Sequence, residues 1–101
     1  MKIVHIAANA PYNDYWGYQD NLLPKYHKKL GHDVTLIVTN TIHKGGKIVE
    51  TDCSDYVLND GVRVIRLRKK KYPHRVITGL CSKLEVFEYL KTIRPDFIFY
   101  H

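Results

Sequence analysis

The first part of the chain contains the feature that most limits the possible folds. A short apolar strand, Lys2–Ala8, is followed by a loop with one glycine, an amphipathic segment and a second apolar strand. Ile3, Val4 and Ile6 make the first segment β-branched and nearly continuously apolar, as a central parallel strand buried on both faces requires. Pro11 cannot continue such a strand, so the chain must leave the sheet there. This order predicts a β–loop–α–β unit at the start of an α/β domain.

The amphipathic segment predicts a helix over residues 18–30. Pro24 is costly in a helix interior, which favours a regular start nearer Asn21. Gly31 supplies the left-handed residue that commonly ends a helix. The apolar residues recur with helical spacing and predict a stripe that faces the core, with lysines on the opposite face: Leu22, Leu23, Tyr26 and Leu30.

Three more segments have the pattern of strands. Asp33–Thr39 is predicted to be a second buried strand, and Val62–Arg68 a half-exposed edge strand because apolar and basic residues alternate in it. Asp96–Tyr100 is predicted to be a fourth buried strand, preceded by a helix over 79–93. Between the second and third strands, Gly45-Gly46 is read as a turn, so a small hairpin or an ordered loop is expected there.

The order of these elements predicts one fold class. Alternation of strands and helices favours a Rossmann-like three-layer α/β domain over residues 1–101. Its sheet would have four mainly parallel strands in the order 3-2-1-4, with right-handed crossovers that place a helix on each face. Because the fourth strand would leave apolar surface and a free edge, we expect the isolated chain to self-associate through the strand that ends at His101 or to be only marginally stable.

Composition narrows the class of protein. The chain has 101 residues, of which 45% are apolar, and this suits one modest core. It lacks the run of roughly 18 apolar residues that a membrane span needs, so we expect a cytoplasmic protein. Cys53 and Cys81 lie far apart without a C-x-x-C pair, which favours reduced thiols over a disulfide or a zinc site. His5 is predicted to be packed internally and His27 to lie at the surface. No histidine has the spacing of a metal ligand, so no metal and no cofactor are expected.

The positive charge is concentrated in one segment. The net charge is +6, which favours anionic partners. One explanation is a solvated strand exit that prevents edge pairing. The other is contact with anionic lipid head groups at the inner face of the membrane, or with a phosphorylated acceptor. The basic residues proposed for that contact are Arg66, Arg68, Lys69, Lys70, Lys71 and Arg75.

Four segments in order resemble a known family. They are MKIVHIA, LGHDVTLIVT, DGVRVIRL and LKTIRPDFIFYH, and together they resemble the N-terminal domain of glycosyltransferase family 4. Enzymes of that family are retaining glycosyltransferases of the GT-B fold, and many build bacterial polysaccharides such as capsule and lipopolysaccharide. The resemblance implies the acceptor-side part of a longer enzyme that moves a sugar from a nucleotide sugar to a saccharide or lipid-linked acceptor. It also implies that this fragment is inactive without its C-terminal domain.

The resemblance and the helix geometry suggest site residues. A helix N-terminus preceded by a glycine binds phosphate, so Gly17 and the backbone of Tyr18 would face the donor diphosphate. The family commonly has two glycines in this loop, and this chain has one. At the carboxyl ends of the strands, where α/β sheets bind ligands, the acceptor would contact Asn9, Pro11, Tyr12, Trp16 and His101. The alternative is that the aromatic residues of this loop only pack it over the sheet.

A second hypothesis comes from the charge alone. The chain could be a non-catalytic basic module that binds nucleic acid or another anionic partner through the same segment. Its binding would fall steeply with salt and survive loss of Gly17. The glycosyltransferase hypothesis instead makes nucleic acid an unexpected partner.

Overall fold

The computed structural model describes residues 1–8, 11–17, 19–69 and 83–101. Five consecutive strands separate the two helices of the described chain. The elements are β1 (Lys2–Ala7), α1 (Gln19–Lys29), β2 (Asp33–Thr39), β3 (Thr41–Lys44), β4 (Lys47–Glu50), β5 (Ser54–Val57), β6 (Arg63–Leu67), α2 (Lys83–Ile93) and β7 (Phe97–Tyr100).

The described strands form one mixed sheet and one separate hairpin. The sheet has five strands in the order β5-β6-β2-β1-β7. Strands β6, β2, β1 and β7 are parallel, and β5 is antiparallel to β6. Strands β3 and β4 pair only with each other. The predicted fold class, a four-stranded mainly parallel Rossmann-like sheet, is therefore wrong, because seven strands in a mixed sheet and a hairpin make the described part mostly β.

A tight turn explains the unexpected fifth strand. Leu58 N–H donates to the Val62 carbonyl at 2.8 Å, and Gly61, with φ +94°, donates back to Leu58 at 2.9 Å. A left-handed residue here is easiest for glycine, so the chain reverses and lays β5 against β6. The alternation in residues 62–68 was expected to mark an edge, but β6 lies between β5 and β2. That prediction was wrong because it took no account of β5.

The predicted hairpin in the long connection is confirmed. Strands β3 and β4 are joined at Gly45 and Gly46, whose φ angles are 58° and 76°. Two consecutive left-handed residues are what a type I′ hairpin turn requires, and glycine adopts them without a Cβ clash. These glycines therefore serve a turn, as the sequence predicted.

The core has two layers, one on each face of the sheet. On the first face, side chains of β1, β2 and β6 pack against half-buried residues of α2: Val4, Ile6, Ala8, Ile37, Ile65 and Leu67 against Val86, Tyr89, Leu90 and Ile93. On the second face the core includes the loop after β1 through buried Tyr12, and half-buried Tyr56 and Leu58 pack against it. The loop after β1 therefore covers part of the second face, where the sequence predicted a helix.

Helix α1 is oriented differently from its predicted stripe. The helix begins at Gln19 and contains buried Pro24 in its interior. The expected start nearer Asn21 is therefore also wrong. Leu22, Tyr26 and Leu30 are 52%, 59% and 59% exposed. The helix turns Pro24 and His27 inward instead, because His27 hydrogen-bonds a side chain on β1. The predicted end is confirmed: Gly31 has φ +94°, and the Gly31 and His32 amides bond back to Lys28 and His27 in a Schellman arrangement.

Strand β7 is exposed on both faces, contrary to the buried strand predicted there. It lies at one end of the described sheet, and its four residues, Phe97–Tyr100, are between 38% and 64% exposed. No strand of the described residues pairs with its outer edge, and a second copy can extend the sheet there. We expect the 101-residue chain to associate reversibly through β7 as its concentration rises, as sedimentation velocity can measure.

Two matched substitutions test this expectation. Ile98→Lys places a charge on the exposed edge strand and should weaken association by about tenfold, or about 1.4 kcal/mol. Phe87→Lys introduces the same charge at a 58% exposed residue of α2 and should leave association unchanged. A chain that is monomeric at every concentration, or equal behaviour of the two variants, would contradict association through β7.

Candidate functional site

The loop after β1 lies across a face of the sheet. Tyr12 is 3% exposed in the second core layer, and its amide donates to the Thr41 carbonyl at 3.0 Å. Further along, the hydroxyl oxygen of Tyr15 accepts a hydrogen bond from the Asn59 amide at 3.3 Å, in the turn before β6. The sequence placed this loop at the carboxyl ends of the strands. The structure extends it to the β5–β6 turn, at the amino end of β6.

The β3–β4 hairpin holds the middle of this loop. The Asn13 side chain accepts a hydrogen bond from the His43 amide at 2.8 Å and donates one to the His43 carbonyl at 3.0 Å. The Trp16 ring stacks on the His43 ring, with centroids 5.5 Å apart and planes inclined by 10°. From the other side, the side-chain amide of Asn21, on α1, donates to the Asn13 backbone carbonyl at 2.7 Å. The loop is therefore held between the hairpin and α1.

A buried arginine supports the loop from below. Arg66 donates to the Tyr12 carbonyl at 2.9 Å, to the Thr39 carbonyl at 3.2 Å and to the Tyr56 hydroxyl at 2.9 Å. The Tyr56 hydroxyl in turn donates to both carboxylate oxygens of Asp14 at 3.0 Å. Burial raises the pKa of Tyr56, and burial also raises that of Tyr12, so both phenols keep their protons near neutral pH. The cluster ties the loop to β2, β5 and β6.

Above this support lies an aromatic cleft, which we call the loop cleft. It has a volume of ≈ 320 Å³ and lies between the loop after β1, helix α1 and the β5–β6 turn. Its lining combines three aromatic rings with amide, ammonium and carboxylate side chains. The lining residues are Tyr12, Tyr15, Trp16, Gly17, Asn21, Leu22, Lys25, Leu58, Asn59 and Asp60.

Two backbone features mark the rim of the loop cleft. Tyr15 has φ 66°, a conformation that non-glycine residues adopt only when their surroundings impose it. The hydrogen bond to Asn59 is one such constraint. Gly17 is outside the left-handed region, and a Cβ added there would meet no described atom within 4 Å. The turn therefore does not need glycine at position 17, and open space lies beside its backbone.

The structure gathers only some of the predicted ligand-binding residues. Tyr12, Trp16 and Gly17 meet in the loop cleft, and half-buried Pro11 precedes them in the loop. His101 does not line the loop cleft: its side chain is 8% exposed and bonds to Asp20 and His5. Two predicted residues, Asn9 and Tyr18, lie outside the described residues.

The predicted basic contact surface is also divided. Arg66 is buried under the loop, which does not suit the surface contact proposed for it. Arg68 and Lys69 are exposed at the end of β6. The other three predicted members, Lys70, Lys71 and Arg75, lie outside the described residues.

The side-chain contacts that join His101 to the rest of the fold were not predicted from the sequence. His5 was expected to be packed internally, and its complete burial is confirmed. His27 was expected at the surface, but its ring contacts His5 from α1 at 2.9 Å. Asp20, which was not singled out, lies 3.0 Å from His101. A period-2 or helical pattern carries no signal for such contacts, because the partners are far apart in the chain.

No group of three or more histidine, cysteine or acidic side chains in residues 1–8, 11–17, 19–69 and 83–101 has a geometry that could hold a metal ion. Neither helix in this described part is long and apolar enough to cross a membrane.

Comparisons with protein-family models, curated proteins and solved structures find no match to this chain. The family resemblance therefore rests on the four sequence segments, and a function must be argued from the loop cleft.

Proposed function

We propose that the chain is part of a glycosyltransferase that moves a sugar from a nucleotide-sugar donor to a saccharide or lipid-linked acceptor. The observation that carries the proposal is the loop cleft, in which Tyr12, Tyr15 and Trp16 are combined with polar side chains from two other segments, helix α1 and the β5–β6 turn. The sequence segments that resemble glycosyltransferase family 4 point to the same class. In this proposal the loop cleft binds a sugar or the diphosphate attached to it.

The chemistry of the lining suits such a ligand. Aromatic faces pack against the C–H surface of a sugar ring and lose little conformational entropy in doing so. The amides of Asn21 and Asn59 and the carboxylate of Asp60 offer hydrogen-bond partners for hydroxyl groups. Lys25 offers a cation for a phosphate. A mostly apolar cleft with a few convergent polar groups is the usual form of a small-molecule site.

In this proposal Gly17 leaves room for a phosphate, whereas the packing of the loop does not require a glycine there. The open space beside its backbone would admit a phosphate close to the start of α1, where free amides favour anions. A side chain at position 17 would take up that space. Since the φ angle does not require glycine, substitution there separates ligand binding from folding.

The second hypothesis, a non-catalytic anion-binding module, has no specific observation in its favour. Arg66, the first residue of the proposed basic surface, is fully engaged beneath the loop. Only Arg68 and Lys69 of that surface lie exposed in the described chain.

Trp16 provides a direct test, because it is the only tryptophan in the chain. We expect its fluorescence to change saturably when nucleoside diphosphate sugars or short oligosaccharides are added. Affinity in the millimolar range, about −4 kcal/mol, is expected for a shallow open cleft. Lys25→Gln should weaken binding of the nucleotide sugar about three- to tenfold, because one charge-assisted phosphate contact is lost.

Matched variants make this test specific. Lys29→Gln removes the same charge one turn along α1, outside the loop cleft, and should change affinity less than about twofold. Gly17→Val should abolish binding while the urea midpoint of unfolding stays unchanged. The proposal is contradicted if no nucleotide sugar or saccharide changes the fluorescence, or if Lys25→Gln and Lys29→Gln weaken binding equally.

A further inference from the structure

Four titratable side chains form a row of hydrogen-bonded groups across the second face of the sheet, which we call the file. Its members are Asp20, His101, His5 and His27. Asp20 Oδ1 lies 3.0 Å from His101 Nδ1, at one end of the file. His101 Nε2 lies 2.8 Å from His5 Nδ1, and His5 Nε2 lies 2.9 Å from His27 Nδ1. The file starts on α1, passes through the residue after β7 and the middle of β1, and returns to α1. It uses both ring nitrogens of His5 and of His101.

The middle of the file is shielded from bulk water. His5 is completely buried, and the Phe99 ring stacks on it with centroids 5.1 Å apart. Phe99 also lies 5.0 Å from the His27 ring. Among the described residues, Asp20 contacts one end of the file, and the His32 ring lies edge-on 6.4 Å from His27 at the other end. His32 itself contacts the N-terminal amine at 3.3 Å.

An ionised carboxylate at the end of the file sets the direction of every hydrogen bond in it. The Asp20 carboxylate can only accept, so His101 must carry a proton on Nδ1. If His101 is neutral, its Nε2 accepts, and His5 must then carry its proton on Nδ1. By the same logic the Nε2 atom of His5 accepts from Nδ1–H of His27. All three rings therefore share one tautomer, and Nε2 of His27 is left bare.

We propose that Asp20, His101, His5 and His27 form a proton relay that carries a proton from half-buried His27 to the His101–Asp20 pair. A proton binds Nε2 of His27, and the Nδ1 proton of His27 passes to Nε2 of His5. The Nδ1 proton of His5 then passes to Nε2 of His101. One proton enters and none leaves, His101 becomes an imidazolium beside the Asp20 carboxylate, and His5 and His27 end with their protons on Nε2.

The charges favour His101 as the place where the proton stops. An imidazolium there is 3.0 Å from a carboxylate, whereas one at His5 would be buried between two other rings. Burial and the neighbouring His101 and His27 lower the pKa of His5 to about 3. Burial and His32 lower the pKa of His27 as well. The relay lies apart from the loop cleft and does not depend on the function proposed for it.

The experiment follows the ring tautomers by long-range ¹H–¹⁵N NMR of the histidine-labelled 101-residue chain between pH 8 and pH 5. At the upper pH, His5, His27 and His101 should all carry their proton on Nδ1. On acidification His101 should become doubly protonated, while His5 and His27 switch to Nε2–H with the same midpoint. Exposed His43, which lies outside the file, serves as the internal reference.

Two variants of equal charge test the transfer. Asp20→Asn removes the carboxylate that holds the imidazolium, so the added proton should remain on His27, and the tautomer switch of His5 should disappear. The readout at His27 is three hydrogen bonds away from the substitution. Asp52→Asn changes an exposed carboxylate to the same amide and should leave every midpoint within experimental error. His5→Phe interrupts the file and should make His27 insensitive to Asp20→Asn.

The tautomer measurements have two opposing outcomes. A common midpoint for the two tautomer switches, lost in Asp20→Asn and kept in Asp52→Asn, supports the relay. The relay is overturned if His5 keeps its proton on Nδ1 while His27 becomes doubly protonated, or if Asp20→Asn and Asp52→Asn have the same effect. Should His5→Phe fail to fold, the comparison of the two aspartate variants still decides.

Discussion

Replacing Arg66 with methionine is expected to lower the free energy of unfolding by about 3–5 kcal/mol, a large part of the stability of a domain this size. Methionine keeps much of the apolar stem but removes the guanidinium. The Tyr12 and Thr39 carbonyls then lose their donor in the interior, and Asp14 loses the cation 3.7 Å away. Unsatisfied buried acceptors carry the cost of their lost hydration. Urea unfolding followed by circular dichroism measures the change.

Arg63→Met is the matched control on the same strand. Arg63 also contacts a carboxylate, donating to both oxygens of Asp55 at 2.9 and 2.6 Å. That pair is exposed, with side chains 37% and 41% accessible, so solvent screens it and its loss should cost less than about 1 kcal/mol. Similar losses for the two variants would mean that the support beneath the loop contributes no more to stability than a surface ion pair.

Acidification from pH 7 to pH 4 is expected to destabilise the chain by about 3 kcal/mol through His5 alone. In the folded state burial, with the neighbouring His101 and His27, lowers the pKa of His5 to about 3, while its ordinary value is 6.5. Below pH 6.5 the unfolded chain therefore binds a proton that the folded chain does not. Stability falls as the pH drops from 6.5 toward 3 and changes no further through this group below that range.

His5→Phe removes this contribution together with the hydrogen bonds that His5 makes to His27 and His101. Phenylalanine does not titrate and has a similar size, so the variant should lose about 3 kcal/mol less than the parent chain between pH 7 and pH 4. Urea midpoints measured at several pH values give the comparison. Parallel stability curves for the parent chain and the variant would show that the folded state binds a proton at His5 as readily as the unfolded state.

The parts of the fold that were predicted correctly depend on neighbouring residues. Strand β2 has the predicted bounds, Asp33–Thr39, because a continuous β-branched run has few alternatives to a buried strand. The end of α1 at Gly31 and the hairpin at Gly45-Gly46 were predictable for a similar reason. Glycine is the residue that adopts a left-handed φ without strain, so its position marks the turn.

The errors concern contacts between distant segments. The residue spacing of α1 gave one apolar stripe, yet Leu22, Tyr26 and Leu30 face outward. The stripe could not reveal that His27 would find a partner on β1. The alternating pattern of β6 was equally compatible with an edge strand and with an inner strand whose arginines are paired. Only the antiparallel β5 and the loop after β1 decided between them.

Some residues of the candidate site were predicted from the sequence, and others were not. Tyr12, Trp16 and Gly17 were identified from the sequence because aromatic residues and a glycine after a central strand are typical of ligand-binding loops. Lys25, Asn59 and Asp60 were not, since α1 and the β5–β6 turn bring them to the loop only in the folded chain. The path of the loop across the sheet was not foreseen either.

The sequence by itself determined the bounds of β2, the end of α1 at Gly31 and the turn at Gly45-Gly46, because backbone preferences and hydrophobic periodicity act over a few residues. The tertiary structure alone decided that Arg66 is buried, that α1 turns His27 inward, and that His5 meets His101 across 96 positions of the chain. Those outcomes depend on burying polar groups only where partners exist, and the partners come from segments that no local pattern connects.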